Sequence, residues 1–326
     1  MRKSNPFIKY VFIISAILMS LIFVGCGEKD YGTEFTTEPL TDAGYQMENV
    51  VVEVPGLTGE YNILLVADMH IICNNDEVAE SKVDDVKGRI KQFSPDGGKT
   101  TALKLWKDMP GLLDKCNADI ILFAGDMVDF CSEANVDALK EGLDKLETPY
   151  CYVKSDHDVL PFYMANTDDD ICAERQSDIG VNSKTWYVDL GEIVILCYNR
   201  SDKSMSEDGL EVVKEAVALD KPIILLSHVP FNSDLDTSLA EKSCEVFGGK
   251  NLTWGVVFDS TGYTTADPAG LEFLSIVYAE DSPVKEILAG HLHFMWDGPV
   301  TDSVNQHVFT PTFTKRVGYI TVKGTN

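Results

Sequence analysis

Five short constellations in this chain carry the residue types that bind metals. They are Asp68-Met69-His70, Gly125-Asp126-Met127-Val128-Asp129, Ser155-Asp156-His157-Asp158, the single His228, and Gly290-His291-Leu292-His293. Five of the chain's six histidines are used in them. Imidazole and carboxylate are the donors that divalent transition ions prefer, and each motif follows an apolar run that reads as a strand. In an extended x-His-x-His segment, side chains repeat every second residue, so His291 and His293 are expected on one face. Gly125 gives the backbone freedom to bend, so that Asp126 can point inward. The sixth histidine, His307, has no partner motif and is assigned no role. Cys73 lies close to His70 in sequence but is not counted as a ligand.

The elements that position these residues follow from apolar patterning. Strand-like runs fall at 50–54, 62–67, 119–124, 150–154, 185–190, 193–198, 223–227, 284–289 and 319–322. Several are unbroken blocks of Ile, Leu and Val, as expected of strands buried on both faces. Between them, Val136, Leu139, Leu143 and Leu146 repeat at helical spacing, as do Leu210, Val213 and Val217; Leu271, Leu274 and Val277 do so less clearly. Residues 101–108 also read as a helix, which Pro110-Gly111 should end or kink. Strands alternating with helices indicate an α/β domain built on βαβ units. Three stretches, 71–99, 159–184 and 229–268, are too long for simple connections, and each follows a metal-type motif. They are expected to overhang the site as substrate-selecting walls. Phe162, Tyr163, Trp254 and Tyr263 lie in them, suited either to stacking or to packing, and Asn199-Arg200 follows a strand where a cation could meet an anionic substrate.

The chain has 326 residues and a formal net charge of −25. That balance disfavours a nucleic-acid partner, whose phosphates call for a basic surface, and reads as a solvated acidic exterior. Arg2, Lys3 and Lys9 precede an apolar run at 11–24 that is too short for a comfortable membrane span. It ends in Phe23-Val24-Gly25-Cys26, which resembles a bacterial lipobox. The expected organisation is a signal peptide over 1–25, a lipid-modified Cys26 attaching the chain to the membrane, a flexible tether over 26–48, and a folded domain over 49–326 working outside the cytoplasm. Seven cysteines remain, with no Cys-x-x-Cys pair; Cys116, Cys151 and Cys197 sit in or beside apolar runs and read as small buried hydrophobes.

Taken in order, the five motifs over residues 61–293 resemble those of the calcineurin-like metallophosphoesterase superfamily. The resemblance implies two packed mixed β-sheets flanked by helices, a four-layer α/β/β/α sandwich. It implies two divalent ions such as Mn, Fe or Zn, one held by Asp68, His70 and His293 and the other by Asp156, His228 and His291, with Asp126 between them. The implied activity is hydrolysis of a phosphomonoester or phosphodiester by metal-activated water. His157 would protonate or stabilise the leaving oxygen, with Asp129 or Asp158, preferably Asp129, orienting it. One departure matters. Where the family pattern has Gly-Asn, this chain has Ser155-Asp156, which adds a carboxylate and should raise metal affinity while weakening attraction for an anionic phosphate. Position 129 is not tyrosine, which argues against the purple acid phosphatase branch. A non-catalytic binding lipoprotein of the same fold, and a metal hydrolase acting on another bond, are the competing functions.

Overall fold

The computed structural model describes residues 34–73, 76–199, 205–233, 235–248 and 268–325. The expected signal peptide, Cys26, Arg200, Trp254 and Tyr263 lie outside the described residues.

Eleven strands and nine α-helices are described. The strands are β1 (Gln46–Val54), β2 (Glu60–Val66), β3 (Ile120–Phe123), β4 (Tyr150–Tyr152), β5 (Thr185–Asp189), β6 (Val194–Tyr198), β7 (Ile223–Ser227), β8 (Val284–Ala289), β9 (Trp296–Pro299), β10 (Asn305–Val308) and β11 (Arg316–Gly324). The helices are α1 (Glu38–Asp42), α2 (Val83–Gln92), α3 (Ala102–Asp114), α4 (Glu133–Leu143), α5 (Asp156–Val159), α6 (Asp169–Gln176), α7 (Glu207–Val217), α8 (Ser238–Phe247) and α9 (Pro268–Val277).

One sheet has five strands in the order β1-β11-β2-β3-β4; the other has six, β5-β6-β7-β8-β10-β9. Both are mixed. β2, β3 and β4 run parallel, as do β6, β7, β8 and β10, while β11 is antiparallel to β2, and β5 and β9 are antiparallel edges of the second sheet. The sheets pack face to face through Val52, Ile63, Leu65, Leu122, Ile195, Ile224, Leu226, Leu288 and Ile320. A second cluster, with Leu64, Trp106, Met109, Phe123, Val136 and Leu139, fills the space between the first sheet and its helices. A third, with Leu196, Leu210, Val213, Leu225 and Phe273, does the same for α7 and α9 on the second sheet. The result is the expected four-layer sandwich. Strands such as β3, β6 and β7 are buried at every residue, which is why their sequences read as unbroken apolar blocks. Each such side chain contributes roughly 1.5–3 kcal/mol of hydrophobic stabilisation.

Four expectations need correction. The folded domain begins before residue 49: β1 starts at Gln46, Leu40 of α1 is fully buried, and the Phe35 ring stacks on Tyr319 at 4.5 Å. Part of the expected tether is therefore core, because Leu40 and Tyr45 belong to the second cluster, between the first sheet and its helices. Pro110 neither ends nor breaks α3, which runs to Asp114; Leu105, Trp106, Met109, Pro110 and Leu113 are all buried on one side, and that packing outweighs the lost hydrogen bond. The three long stretches are not bare loops, since they carry α2, α6 and α8. Strands β9 and β10 have no counterpart among the runs read from sequence. Cys116, Cys151 and Cys197 are buried as expected, whereas Cys131 and Cys172 form a disulfide that the spacing did not suggest.

Candidate metal centre

The site forms where the C-terminal ends of both sheets' parallel strands converge. β2 delivers Asp68 and His70, β3 delivers Asp126 and Asp129, β4 delivers Ser155 to Asp158, β7 delivers His228, and β8 delivers His291 and His293. Beyond their strands the first two motif loops stay paired: Asp68 N donates to Gly125 O at 3.0 Å, His70 N to Asp126 O at 2.8 Å and Ile71 N to Met127 O at 2.9 Å. Met69, Ile71, Met127 and Val128 are wholly buried between the ligand positions, so the loops are anchored by core packing.

The local backbone is unusual. Asp68, His70, Asp126, His291 and His293 all have positive φ, between 48° and 71°. The left-handed region costs a non-glycine residue roughly 1–2 kcal/mol, with Asp and His among the more tolerant types. His291 and His293 therefore do not share a face because of an extended strand; they do so in a curl beyond Ala289. Two glycines permit the close approach. A Cβ on Gly290 would lie 2.5 Å from Asp68 Oδ2, and one on Gly125 would lie 2.7 Å from the His228 ring.

Among the described residues three groups of donor atoms converge; one is His70, Asp129 and His157, and the other two share one carboxylate. Asp68, His70, Asp126 and His293 each place a ligand atom within 4.8 Å of the others, and so do Asp126, His228 and His291. Asp126 Oδ2 stands 3.5 Å from His70 Nε2 and 3.4 Å from His228 Nε2. The ring nitrogens turned away from this space are occupied: His70 Nδ1 donates to Asp129 Oδ1 at 3.0 Å and His228 Nδ1 to Ala124 O at 2.7 Å. In the neutral imidazole each Nε2 is then a lone pair, aimed at His293 Nε2 in one case and His291 Nδ1 in the other, both at 3.2 Å. Converging lone pairs in a buried cluster fit divalent cations.

Electrostatics say the same. Burial opposes protonation of His228, yet the Asp126, Asp68 and Asp156 carboxylates outweigh it and raise its pKa to about 10. Burial works against ionised Asp126 too, but His228, His157 and His70 hold its pKa well below the carboxylate range. A pocket with this much negative charge calls for cations.

The expected residues fare differently. Asp68, His70, Asp126, His228, His291 and His293 are brought together. Asp156 is not among the converging donors; it is the half-buried first residue of α5, near enough to His228 and His157 to favour their charged forms. Asp129 does meet His157, but mainly through its backbone: His157 Nδ1 donates to Asp129 O at 2.7 Å, with Oδ1 at 3.4 Å. The Asp129 carboxylate, fully buried, serves His70 and Arg89 instead. Arg89 Nε donates to Oδ2 at 3.0 Å and Nη2 donates to Oδ1. Burial would raise the pKa of Asp129, but His70 and Arg89 bring it down to about 2. Asp158 orients the second motif rather than His157, accepting from the backbone N–H groups of Asp126, Met127, Val128 and Ser155. Asn199 is buried and bonds Lys154 N through Oδ1, and His307 pairs with Glu286 at 2.7 Å, away from the donor groups.

Arg89 was not foreseen. It sits on α2, its guanidinium 4.3 Å above the Phe93 ring, and Phe93 in turn stacks on His70 at 3.9 Å. The available signal was the helical spacing of Val83, Val86 and Ile90 within a stretch read only as loop.

Walls surround the centre. Val78 bridges Met164, Ala165 N donates to Glu77 O at 2.8 Å, and Arg175 pairs with Glu77 at 2.6 Å, joining the first two long stretches. Arg175 also donates to Cys131 O at 3.0 Å beside the Cys131–Cys172 disulfide. Phe162 places its ring 5.0 Å from that of His157. In the third stretch, Leu239 of α8 packs with Leu292, between the two histidines, and with Phe294 and Trp296, just after them.

An α/β/β/α sandwich with a buried Asp/His cluster at its strand ends is a scaffold suited to holding divalent metal ions. The model of the calcineurin-like phosphoesterase family matches residues 61–295, and the chain belongs to that family. Among solved structures, a dimetal phosphatase from Danio rerio is similar at 12% identity and a TM-score of 0.47, covering 78% of this chain and 88% of its own. A purple acid phosphatase from yellow lupin matches at 13% identity and a TM-score of 0.45, covering 79% of this chain and 45% of its own. A phosphopantetheinyl hydrolase from Mycobacterium tuberculosis matches at 12% identity and a TM-score of 0.36, covering 78% and 90%. No curated protein matches the chain.

Proposed function

We propose that this protein is a two-metal phosphoesterase that hydrolyses phosphomonoesters or phosphodiesters outside the cytoplasm, attached to the membrane through lipid at Cys26. The observation that carries the reading is the pair of donor groups sharing Asp126, each with imidazole lone pairs turned inward. Asp68, His70 and His293 would hold one ion and His228 and His291 the other, with Asp156 at hand to the second. Two ions so placed supply an activated water and neutralise charge developing on the phosphoryl group.

The chain's own residues supply the rest. His157 Nδ1 is fixed on Asp129 O, which leaves Nε2 free to hold a proton for a leaving oxygen. Burial works against that proton, but Asp126 and Asp129 prevail and raise the His157 pKa above its ordinary value, as suits a general acid. Asp129 is bound to His70 and Arg89 and is not itself a donor to the shared centre, unlike the ligand expected of a purple acid phosphatase at that position. The Cys131–Cys172 disulfide supports an oxidising compartment. So does the apolar N-terminal run ending in Gly25-Cys26.

The test combines metal analysis with hydrolysis of p-nitrophenyl phosphate and bis(p-nitrophenyl) phosphate, with Mn, Fe and Zn supplied separately. Two equivalents of metal and metal-dependent turnover are expected. His157→Gln should lower turnover by about 10²–10⁴ with metal content unchanged. A chain that stays metal-free refutes the enzyme reading, and a His157→Gln chain that loses metal recasts His157 as a ligand.

A further inference from the structure

Ser155 stands where the family pattern has glycine, so this chain places a hydroxyl that the pattern lacks beside the shared carboxylate. It is 1% exposed, and Asp126 is 3% exposed. Ser155 Oγ accepts from Asp126 N at 3.0 Å and donates to Asp126 Oδ1. The hydroxyl has one proton and one competing acceptor, Asp158 Oδ2 at 3.2 Å. That oxygen already accepts from Asp126 N at 2.9 Å and Ser155 N at 3.0 Å, and it is the more distant of the two. The proton therefore goes to Asp126. With Oδ1 so capped, Oδ2 is left facing the imidazoles of both donor groups, nearly equidistant from His70 and His228.

We propose that Ser155 is a positioning residue that locks the Asp126 carboxylate, so that a single oxygen, Oδ2, is offered to both metal positions. Without the hydroxyl, the carboxylate can turn about its last torsion and present either oxygen to either group. The shared donor then loses its fixed geometry, while every direct donor remains. The inference rests on the two-metal reading of this site.

Ser155→Gly removes the hydroxyl while keeping a residue tolerated at a helix N-cap, and Asp158 still holds the backbone N–H of Asp126. Ser155→Thr keeps the hydroxyl. Calorimetric titration of the metal-free full chain with Mn²⁺ reads both equivalents, and thermal unfolding of the metal-free forms serves as the control. Ser155→Gly should bind Mn²⁺ roughly ten- to a hundredfold more weakly than the parent, the range for residues that orient ligands, with the metal-free chain still unfolding in one cooperative transition at a somewhat lower temperature. Ser155→Thr should bind within a few-fold of the parent. Parent-like binding of both equivalents by Ser155→Gly overturns the proposal, and so does a Ser155→Thr chain as weak as Ser155→Gly. A parent that fails to take up two equivalents refutes the two-metal reading instead.

Discussion

Replacing Arg89 with methionine isolates how α2 controls the metal centre. Asp129 is fully buried, and the Arg89 side chain is about one-fifth exposed, at 20%. In the parent, burial raises the Asp129 pKa, but His70 and Arg89 overcome it and lower it from 3.8 to about 2, worth about 2.5 kcal/mol of stability. Without Arg89 the carboxylate keeps only His70 Nδ1 at 3.0 Å and the more distant His157 Nδ1 at 3.4 Å, and an under-compensated buried charge costs about 3–5 kcal/mol. Partial exposure of the guanidinium argues for the lower end, about 3 kcal/mol. The sign with pH follows. In the parent, this stabilisation is present above pH 3.8 and is lost as pH falls through about 2. In Arg89→Met the folded-state pKa of Asp129 rises above its unfolded value, so stability falls as pH climbs through the carboxylate range. The gap between the two chains should be roughly half its full size near pH 3, close to zero only at about pH 2 and below, and complete by pH 7. Urea unfolding of the metal-free chains across that range measures it. Manganese titration should show roughly ten- to a hundredfold weaker binding, because His70 loses the partner that fixes its tautomer. Arg89→Lys should recover only part of both effects, since an ammonium cannot make the two-pronged contact. A pH-independent gap, or a variant within about 0.5 kcal/mol of the parent at pH 7, as for an ordinary surface change, would refute the reasoning.

Two further outcomes test the surroundings. Lys154 is 4% exposed, with Nζ bonded to Gln176 O at 2.6 Å. Burial lowers its pKa from 10.5 to about 8, so its charge costs about 3 kcal/mol below pH 8. That cost is relieved between pH 8 and 10.5, where the unfolded chain binds more protons. Metal-free parent protein should therefore gain stability as pH rises through that window. Lys154→Met should be about 1–2 kcal/mol more stable at pH 7 after the loss of one hydrogen bond, with the pH slope gone; a less stable, equally sloped variant would contradict the account. Replacing both Cys131 and Cys172 with serine opens a 41-residue span and should cost about 4 kcal/mol by chain entropy. Limited proteolysis should then cut within 159–184 while metal content is kept; a double variant as stable and protease-resistant as the parent would show that the bridge does not brace this wall.

The layers were legible because buried parallel strands impose nearly unbroken apolar sequence, and 193–198 or 223–227 can be little else. The ligands were legible because Asp and His at strand ends have few other uses in such numbers. Arg89 was not, because its helix buries only Val86 fully, and a lone arginine in a polar stretch looks like solvated surface. Its partner Asp129 was visible, but the division of labour between its carboxylate and its carbonyl was not, since sequence cannot tell a side-chain acceptor from a backbone one. Residues 34–48 hide their packing for a similar reason: Leu40 and Tyr45 are too sparse to show a period, yet each is buried.

The site's backbone makes the deepest contrast. An alternation rule for extended chain put His291 and His293 on one face, and they are together, but through left-handed residues that local propensity disfavours. The same conformation recurs at Asp68 and His70 after β2 and at Asp126 after β3, on two further loops. Strain repeated in this way persists only if the surroundings over-determine it, and here they do. His291 N donates to both oxygens of Asp68 at 3.0 Å, His70 N donates to the carbonyl of Asp126, and Gly290 leaves the space that Asp68 occupies. Each strained ligand is thus held by another strained ligand's loop. The centre is assembled by the meeting of the loops, so no single motif could have revealed its geometry.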